Sequence, residues 1–265
     1  MTGAVIGDII GSTYELHNVK TENFELFPEG SRFTDDSVLS VAVAKRIINE
    51  EKTNINNKAS YAMWYKQYYS RYPNAGYGQM FSDWANDREL YIQRSFGNGA
   101  AMRVCAIGYA FNSIKEIIKE VNDSCFYTHN NHEAKKWAQA VAIAVFMAKN
   151  QKDKLEIKKY IEKRFWHRFC SLDKLREKYV FNSRASYSVP PAMEAFFESS
   201  SYEDAIRKAI SIGGDSDTIA CIAGGIAHAY YQEIPNEIYE KGMKLLDVGL
   251  RQTVKCFEER YNIKH

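Results

Sequence analysis

Two short acidic segments, far apart in the chain, carry the residues best suited to chemistry. They read FTDDS at residues 33–37 and GGDSDT at residues 213–218. Each offers two carboxylates and a hydroxyl within about one helical turn. Such hard oxygen ligands suit Mg²⁺, Mn²⁺ or Ca²⁺, whereas zinc prefers cysteine and histidine. If the two segments meet in the fold, their four aspartates predict a site for two divalent ions, which could activate a water and orient a substrate oxygen.

Either acidic segment could instead be an ordinary helix start, because Thr, Ser and Asp are favoured N-caps and acidic residues suit the helix dipole. Three features favour a metal site. An N-cap uses one side chain, whereas each segment supplies three. The helix predicted after the second segment is apolar on nearly every side at residues 219–227, so we expect its start to be at least partly buried. Neither segment contains a Lys or Arg that could neutralise desolvated carboxylates.

Glycines mark two further segments. The first, GNGAAMR at residues 97–103, precedes an apolar stretch, and backbone N–H groups at a helix start can hold phosphate. It is neither a P-loop nor a dinucleotide-binding fingerprint, because the glycine spacing and the following residues differ. In the second, Gly3, Gly7 and Gly11 recur at every fourth position. In a helix this spacing puts them on one face, where they allow close packing against a neighbour.

The elements that position these segments are predicted to be helices. Apolar residues recur at helical spacing in several stretches, and no stretch alternates in the manner of a strand between hairpin turns. Residues 150–180 are rich in charge with apolar residues between, which is typical of an amphipathic helix with a solvated face. We therefore expect an all-α fold in one domain. The other predicted helices lie at residues 38–48, 134–148, 205–212, 219–231 and 237–261.

Composition narrows the class of protein. Hydrophobic residues make up 45% of the 265 residues, enough for a sizeable core, and a net charge of +2 argues against a strongly basic nucleic-acid binder. The five cysteines are odd in number and form no CxxC pair, so we expect free thiols. The N-terminus lacks the pattern of a signal peptide, and no apolar run reaches the roughly 20 residues that span a bilayer. We expect a cytoplasmic monomer with no nucleic-acid or membrane partner.

Five motifs, taken in order, resemble those of the ADP-ribosylglycohydrolase family, which includes the enzyme that reactivates ADP-ribosylated dinitrogenase reductase. The resemblance covers nearly the whole chain. It implies a compact, orthogonal helical bundle spanning residues 1–265 as a single domain, with two Mg²⁺ ions, or Mn²⁺ in some members. It also implies hydrolysis of the glycosidic bond between ADP-ribose and a protein side chain or small molecule. The motifs are GDIIGSTYE at 7–15, FTDDS at 33–37, GNGAAMR at 97–103, THN at 128–130 and GGDSDT at 213–218.

The same resemblance implies roles for individual residues. Glu15 would lie beside the metals and, with Asp35 and Asp36, would serve catalysis; which carboxylate is the general base stays open. His129 would line the substrate cleft. Apart from the resemblance, Tyr187 is a candidate for stacking because it stands shortly before a pair of prolines. The implied metal ligands are Thr34, Asp35, Asp36, Asp215, Asp217 and Thr218, and the implied diphosphate and ribose contacts are Gly97, Asn98, Gly99, Ala100 and Met102.

Two other functions stay open at the level of sequence. One is a non-catalytic relative that binds ADP-ribose or serves a structural role. The intact set of acidic residues argues against it, because a non-catalytic protein has no physical reason to keep four crowded carboxylates. The other is a metal-dependent phosphohydrolase of nucleotide diphosphates, which could use the same metals and glycine loop. The acceptor is also open: arginine, serine, O-acetyl and other ADP-ribosyl linkages all fit the sequence.

Overall fold

The structure is a computed structural model that describes residues 1–49 and 57–265. These residues form fifteen α-helices and no strand, so the prediction of an all-α fold is confirmed. Two isolated bridges, Arg94 with His129 and Gly97 with Arg184, are the β-type pairings found among them. The helices are α1 (Thr2–Gly11), α2 (Asp35–Ile48), α3 (Asn57–Arg71), α4 (Gln79–Asn86), α5 (Gly99–Met102), α6 (Cys105–Ala110), α7 (Ile114–Cys125), α8 (His132–Lys149), α9 (Lys154–Phe165), α10 (Leu172–Lys178), α11 (Ala185–Phe197), α12 (Tyr202–Ile210), α13 (Ser216–Tyr231), α14 (Asn236–Leu245) and α15 (Val248–Tyr261).

Helix α13 is the centre of the molecule, and α1 packs along it in the opposite direction. Its residues from Ser216 to Ala229 are all buried, as the apolar pattern predicts. The glycines of α1 make the close approach possible. A Cβ atom on Gly3 or Gly11 would lie 2.5 Å from the carbonyl oxygen of Gly224 or Ser216, respectively. The glycine spacing therefore packs α1 directly on the backbone of α13, as we predicted from its periodicity.

Other helices surround this pair. Helices α8, α11 and α12 pack against α13, and α2 packs against α1. Because α2 and α13 both lie against α1, their N-termini are brought to the same region of the molecule. None of the helices in the described part of the chain combines the length and apolarity that a bilayer crossing demands. All five cysteines are free thiols, as expected.

Several helix boundaries differ from the prediction. Residues 150–180 form two helices rather than one, because α9 ends at Trp166, whose backbone is left-handed with φ of 50°. Residues 237–261 also form two helices, since Asp247 accepts a hydrogen bond from the N–H of Leu250 at 2.8 Å and starts a new helix there. Helix α12 ends at Ile210, two residues before the predicted end.

Candidate active site

The two acidic segments lie side by side at the starts of neighbouring helices. Thr34 is the N-cap of α2, and Asp215 is the N-cap of α13. The hydroxyl of Thr218 donates to Oδ2 of Asp36 at 3.2 Å, which joins the segments directly. Carboxylate oxygens of Asp36 and Asp217 come within 4.8 Å of each other. The structure thus brings the two predicted segments together in one place.

Asp8 is a third acidic contributor that the sequence analysis missed. It lies on α1, is fully buried, and is within 4.8 Å of Asp36 and Asp217 through its carboxylate oxygens. It accepts hydrogen bonds from the N–H and hydroxyl of Thr34, at 2.9 and 2.6 Å, and from the N–H of Ser37 at 3.1 Å; the Ser37 hydroxyl also donates to it. Asp8 therefore fixes the start of α2. Its signal in the sequence was a lone carboxylate within an otherwise apolar, glycine-spaced helix.

Burial and mutual repulsion dominate the electrostatics of this cluster. Desolvation, with Asp8 and Asp215 adding to it, raises the pKa of Asp35 to about 8. Burial, with the charges of neighbouring carboxylates adding to it, also places the pKa of Asp36 and of Asp217 well above the usual range. The recorded ion pairs between described residues leave these carboxylates without a Lys or Arg partner. A group of desolvated carboxylates without such a partner requires protons or a cation.

The donor set fits divalent cations. Oδ1 of Asp36 is buried and has no hydrogen-bond partner, so a strong acceptor remains unsatisfied within the cluster. Glu15, Asp215 and Asp217 form a second group whose carboxylate oxygens lie within 4.8 Å of one another. All the available donors are oxygens, which suits Mg²⁺ or Mn²⁺ rather than a thiophilic metal. Clustered acidic residues that could bind metal are therefore present.

A cleft of about 420 Å³ opens above the acidic cluster, a size suited to a small-molecule ligand. Most of the predicted site residues line it. Sequence reasoning did not identify the opposite wall, which, apart from Leu39 of α2, comes from loops and from the short helix α4. The predicted residues in its lining are Glu15, Asp35, Asp36, Gly97, Asn98, Gly99, Met102, His129, Asp215, Asp217 and Thr218, and the missed ones are Leu39, Gly76, Gly78, Gln79, Met80, Phe81, Gln93, Ser95, Phe181 and Ser183.

Three predicted residues lie outside the lining of the cleft. Thr34 is buried, and its hydroxyl donates to Asp8. Ala100 is fully buried behind the glycine loop. Tyr187 is 53% exposed and lines a neighbouring groove instead. The glycine loop opens the four-residue helix α5, and the apolar stretch that follows it is divided between α5 and α6.

The glycine loop is tied to the second acidic segment. The side-chain amide of Asn98 donates to Oδ2 of Asp215 at 2.7 Å and to the hydroxyl of Ser188 at 2.9 Å. The backbone N–H of Asn98 donates to the carbonyl of Ser183 at 2.8 Å. A ligand resting on the loop would therefore lie next to the carboxylates, with no intervening element.

A buried chain of polar groups holds His129 against this loop. Arg103 donates to the hydroxyl oxygen of Thr128 at 2.7 Å, and that oxygen is 2.9 Å from Nδ1 of His129. The other ring nitrogen, Nε2, faces the loop: a Cβ atom on Gly99 would lie 3.2 Å from it. Burial and the nearby Arg103 hold the pKa of His129 well below its usual range. His129 is therefore a neutral imidazole directed at the glycine loop.

Glu15 follows α1 and lines the cleft beside the second acidic group. Partial burial and the charge of Asp215 raise its pKa, while Arg32 acts in the opposite direction. A carboxylate with a raised pKa binds a proton more readily near neutral pH than an ordinary glutamate does. Its position and chemistry suit a group that accepts or returns a proton.

Comparisons with known proteins agree on one family. A family model described as ADP-ribosylglycohydrolase matches residues 1–261. The chain is 26% identical to the ADP-ribosylhydrolase ARH3 of Homo sapiens, over 98% of this chain and 89% of that protein. It is 24% identical to the ADP-ribosylarginine hydrolase Tri1 of Pseudomonas putida, over 91% of this chain and 72% of that protein. A solved structure described as an ADP-ribosylglycohydrolase-related protein complex has the same fold, with a TM-score of 0.68 at 19% identity, covering 100% of this chain and 97% of that one.

Proposed function

Since the chain belongs to the ADP-ribosylglycohydrolase family and is a glycosidic-bond hydrolase, we propose that it releases ADP-ribose from a modified protein side chain or small molecule with two Mg²⁺ or Mn²⁺ ions. One observation carries the proposal. Carboxylates from both ends of the chain converge at the floor of a single cleft, and none of the recorded ion pairs between described residues reaches them. We also propose that residues 1–265 act as one domain and as a monomer.

The ions would be held by oxygens of the two acidic segments, with Asp8 supporting the first segment from behind. The hydroxyl of Thr34 keeps a lone pair available while its hydrogen is directed to Asp8. Divalent ions at such a site supply Lewis-acid chemistry: they lower the pKa of a water and polarise substrate oxygens. The proposed ligands are Thr34, Asp35, Asp36, Asp215, Asp217 and Thr218.

The protein's own groups would bind and orient the substrate. The N–H groups of Gly99 and Ala100, at the start of α5, would bind a diphosphate, because those of Gly97, Asn98, Ala101 and Met102 already donate within the protein. A neutral His129 can donate one hydrogen bond to the same diphosphate without requiring protonation. The distal ribose would then lie at the carboxylates. The oxygen of water joins the anomeric carbon, the bond to the acceptor breaks, and the acceptor leaves with a proton. We assign Glu15 to proton transfer, because it borders the cluster and its pKa is raised.

The proposal is tested by identifying the product. The enzyme is supplied with defined ADP-ribosyl-arginine, ADP-ribosyl-serine and O-acetyl-ADP-ribose, and products are separated by chromatography. We expect ADP-ribose with an intact diphosphate from at least one linkage, and loss of that product in Glu15→Gln with ADP-ribose binding retained. Release of AMP would instead indicate a phosphohydrolase. Tight ADP-ribose binding with no turnover of any linkage would indicate a non-catalytic reader.

A further inference from the structure

A second concavity, of about 370 Å³, lies beside the cleft on the far side of residues 179–187. We call it the proline groove, because two prolines of α11 form part of its floor. Its walls come from the loop after α9, from α10 and from the first turns of α11. Its lining residues are His167, Arg168, Phe169, Cys170, Lys174, Leu175, Lys178, Tyr179, Val180, Ser186, Tyr187, Pro190 and Pro191.

The proline groove and the cleft share one wall. Val180 lines the groove, whereas the next residue, Phe181, lines the cleft. Tyr179 separates the two and packs so closely on Gly214 that a Cβ atom there would collide with its ring. Gly214 directly precedes Asp215 of the acidic cluster. A polymer whose modified residue reaches the carboxylates would therefore have neighbouring residues within reach of the groove.

The two prolines restrict the backbone conformation of the groove and remove two N–H donors from α11. Pro191 has no N–H, so the carbonyl of Tyr187 lacks its helical donor, and the hydroxyl of Tyr179 donates to it instead at 3.1 Å. Pro190 likewise leaves the carbonyl of Ser186 without its helical donor. Ser186 is one of the lining residues. The groove is therefore lined by a stretch of α11 in which two carbonyls have lost the N–H donor of an ordinary helix.

The charge on the groove is opposite to the charge in the cleft. Its lining contains Arg168, Lys174 and Lys178, and it contains neither Asp nor Glu. No ion pair between described residues uses these three cations. By contrast Arg176, on the same helix as the two lysines, pairs with Asp173 at 2.9 Å and also with Glu22. Unpaired cations around an apolar floor favour a ligand that carries both acidic and apolar groups.

We propose that the proline groove binds the polypeptide that carries the ADP-ribose, and this inference rests on the proposed function. The bound part of that polypeptide would be an acidic segment with at least one apolar side chain. Of the aromatic residues in the lining, Tyr187 alone is classed as exposed, so the groove offers one stacking face beside the aliphatic surface of Leu175, Val180 and the prolines. This lining favours a peptide over a nucleic acid, whose successive bases stack on a series of rings. Val180 is 73% exposed and Tyr187 is 53% exposed, so both have surface to bury against such a side chain. The groove then adds selectivity for the protein that carries ADP-ribose, beyond recognition of ADP-ribose itself.

The binding test measures the fluorescence anisotropy of two fluorescein-labelled peptides. One is the acidic peptide Glu-Asp-Phe-Asp-Glu, and the other is its charge-reversed counterpart, Lys-Arg-Phe-Arg-Lys. We expect wild type to bind the acidic peptide, and the double variant Lys174→Glu/Lys178→Glu to bind it about 10-fold or more weakly. The same variant should gain affinity for the basic peptide. The matched control, Lys159→Glu/Lys163→Glu, changes two exposed lysines with the same spacing on α9, outside the groove, and should bind as wild type does.

The activity test compares two substrates of the wild-type enzyme: the acidic peptide bearing ADP-ribose, and a small ADP-ribosyl compound. In Lys174→Glu/Lys178→Glu, kcat/KM for the peptide should fall in step with its affinity, while kcat/KM for the small compound stays within about 2-fold. Equal losses for both substrates, or unchanged peptide affinity, would overturn the groove proposal. So would a single-stranded oligonucleotide that displaces the peptide and binds more tightly.

The outcomes separate this proposal from the function on which it rests. If wild type hydrolyses the small compound but does not bind the acidic peptide, the groove proposal is wrong and the proposed function stands. If no ADP-ribosyl compound is hydrolysed, the proposed function is contradicted, and a peptide bound in the groove cannot be assigned as part of a substrate.

Discussion

The hydroxyl of Thr218 donates a hydrogen bond to Oδ2 of Asp36 over 3.2 Å, although 182 positions separate the two residues. This contact joins the start of α13 to the start of α2. It exists because the glycines of α1 allow α13 to pack closely on that helix, while Asp8 of α1 binds the start of α2. The direct result is a cluster of crowded, buried carboxylates.

Replacing Asp36 by asparagine should abolish hydrolysis and stabilise the metal-free protein. The substitution removes one of several desolvated like charges. We expect kcat/KM to fall by at least about 100-fold, and the melting temperature in chelator to rise by about 3–6 °C. The control is Asp173→Asn, since that carboxylate is 91% exposed and lies far from the cluster in sequence. A melting temperature that falls in chelator would mean that another group already neutralises Asp36.

The metal-free protein should lose stability as the pH rises toward neutral. An aspartate in water has an ordinary pKa of 3.8, whereas the pKa of Asp35 in the folded chain is about 8. A raised folded pKa contributes stability that is complete below the unfolded value and is lost as the pH rises through the folded value. Between pH 5 and 8, in chelator, wild type should therefore lose stability relative to Asp35→Asn, by at most about 1.4 kcal/mol per pH unit.

The measurement for this pH prediction is urea denaturation of both proteins at several pH values, with chelator and with Mg²⁺. Saturating Mg²⁺ should flatten the difference between them, because the cation binds the deprotonated carboxylates. A wild-type protein that gains stability over Asp35→Asn as the pH rises, in chelator, would contradict the electrostatic account.

Asp8→Asn should weaken metal binding although Asp8 is not among the proposed ligands. Its carboxylate accepts from both the N–H and the hydroxyl of Thr34, whereas an amide presents an NH₂ group toward one of those donors. We expect a destabilisation of about 1–3 kcal/mol and an Mn²⁺ affinity about 10-fold lower. Denaturation and calorimetric titration would measure the two effects. Unchanged Mn²⁺ affinity would show that Asp8 does not position the first acidic segment.

Thr128→Val should weaken ADP-ribose binding with little effect on kcat. The substitution removes the oxygen that links Arg103 to His129, so the ring loses its anchor. We expect the Kd for ADP-ribose to rise about 5- to 10-fold. The control is Thr253→Val, another buried threonine whose hydroxyl donates to the carbonyl of Gly249. If both variants lose stability but neither loses affinity for ADP-ribose, His129 does not contact the ligand.

The pH profile of the wild-type protein gives a second test of the role of His129. His129 is neutral in the wild-type protein because burial and Arg103 hold its pKa well below the usual range. ADP-ribose affinity in wild type should therefore show no step near pH 6.5, the ordinary histidine value. A step at that pH would mean that the imidazole ionises in the cleft.

Helical periodicity predicted α2, α8, α12 and α13, because their buried faces repeat at a fixed interval, but it did not identify α7 or α11. It failed where one local interaction ends a helix inside a continuous pattern. Asp247 caps α15 with a single hydrogen bond, and Trp166 ends α9 in a left-handed conformation that is uncommon for a tryptophan. Neither interaction changes the spacing of apolar residues on either side of it. The periodicity therefore predicted one continuous helix in each of these two regions.

The acidic segments were identifiable because unneutralised carboxylates are costly wherever they are buried. Asp8 was missed because one acidic residue in a helix is ordinary, and only the tertiary structure shows that its partners come from α2. The far wall of the cleft was missed for a related reason. Loops such as the one containing Gly76 have no repeating pattern of apolar residues from which a structure could be predicted. Tyr187 was predicted to stack on the substrate because it stands shortly before two prolines, but it lines the proline groove together with them.

The shared metal site is tested most directly by calorimetric titration of Mn²⁺ into three proteins: wild type, Asp35→Asn/Asp36→Asn and Asp215→Asn/Asp217→Asn. The account predicts two bound ions in wild type and loss of high-affinity binding in both double variants, since both segments contribute ligands to the shared two-ion site. Binding that survives unchanged in either variant, or no Mn²⁺ binding to folded wild type, would contradict it.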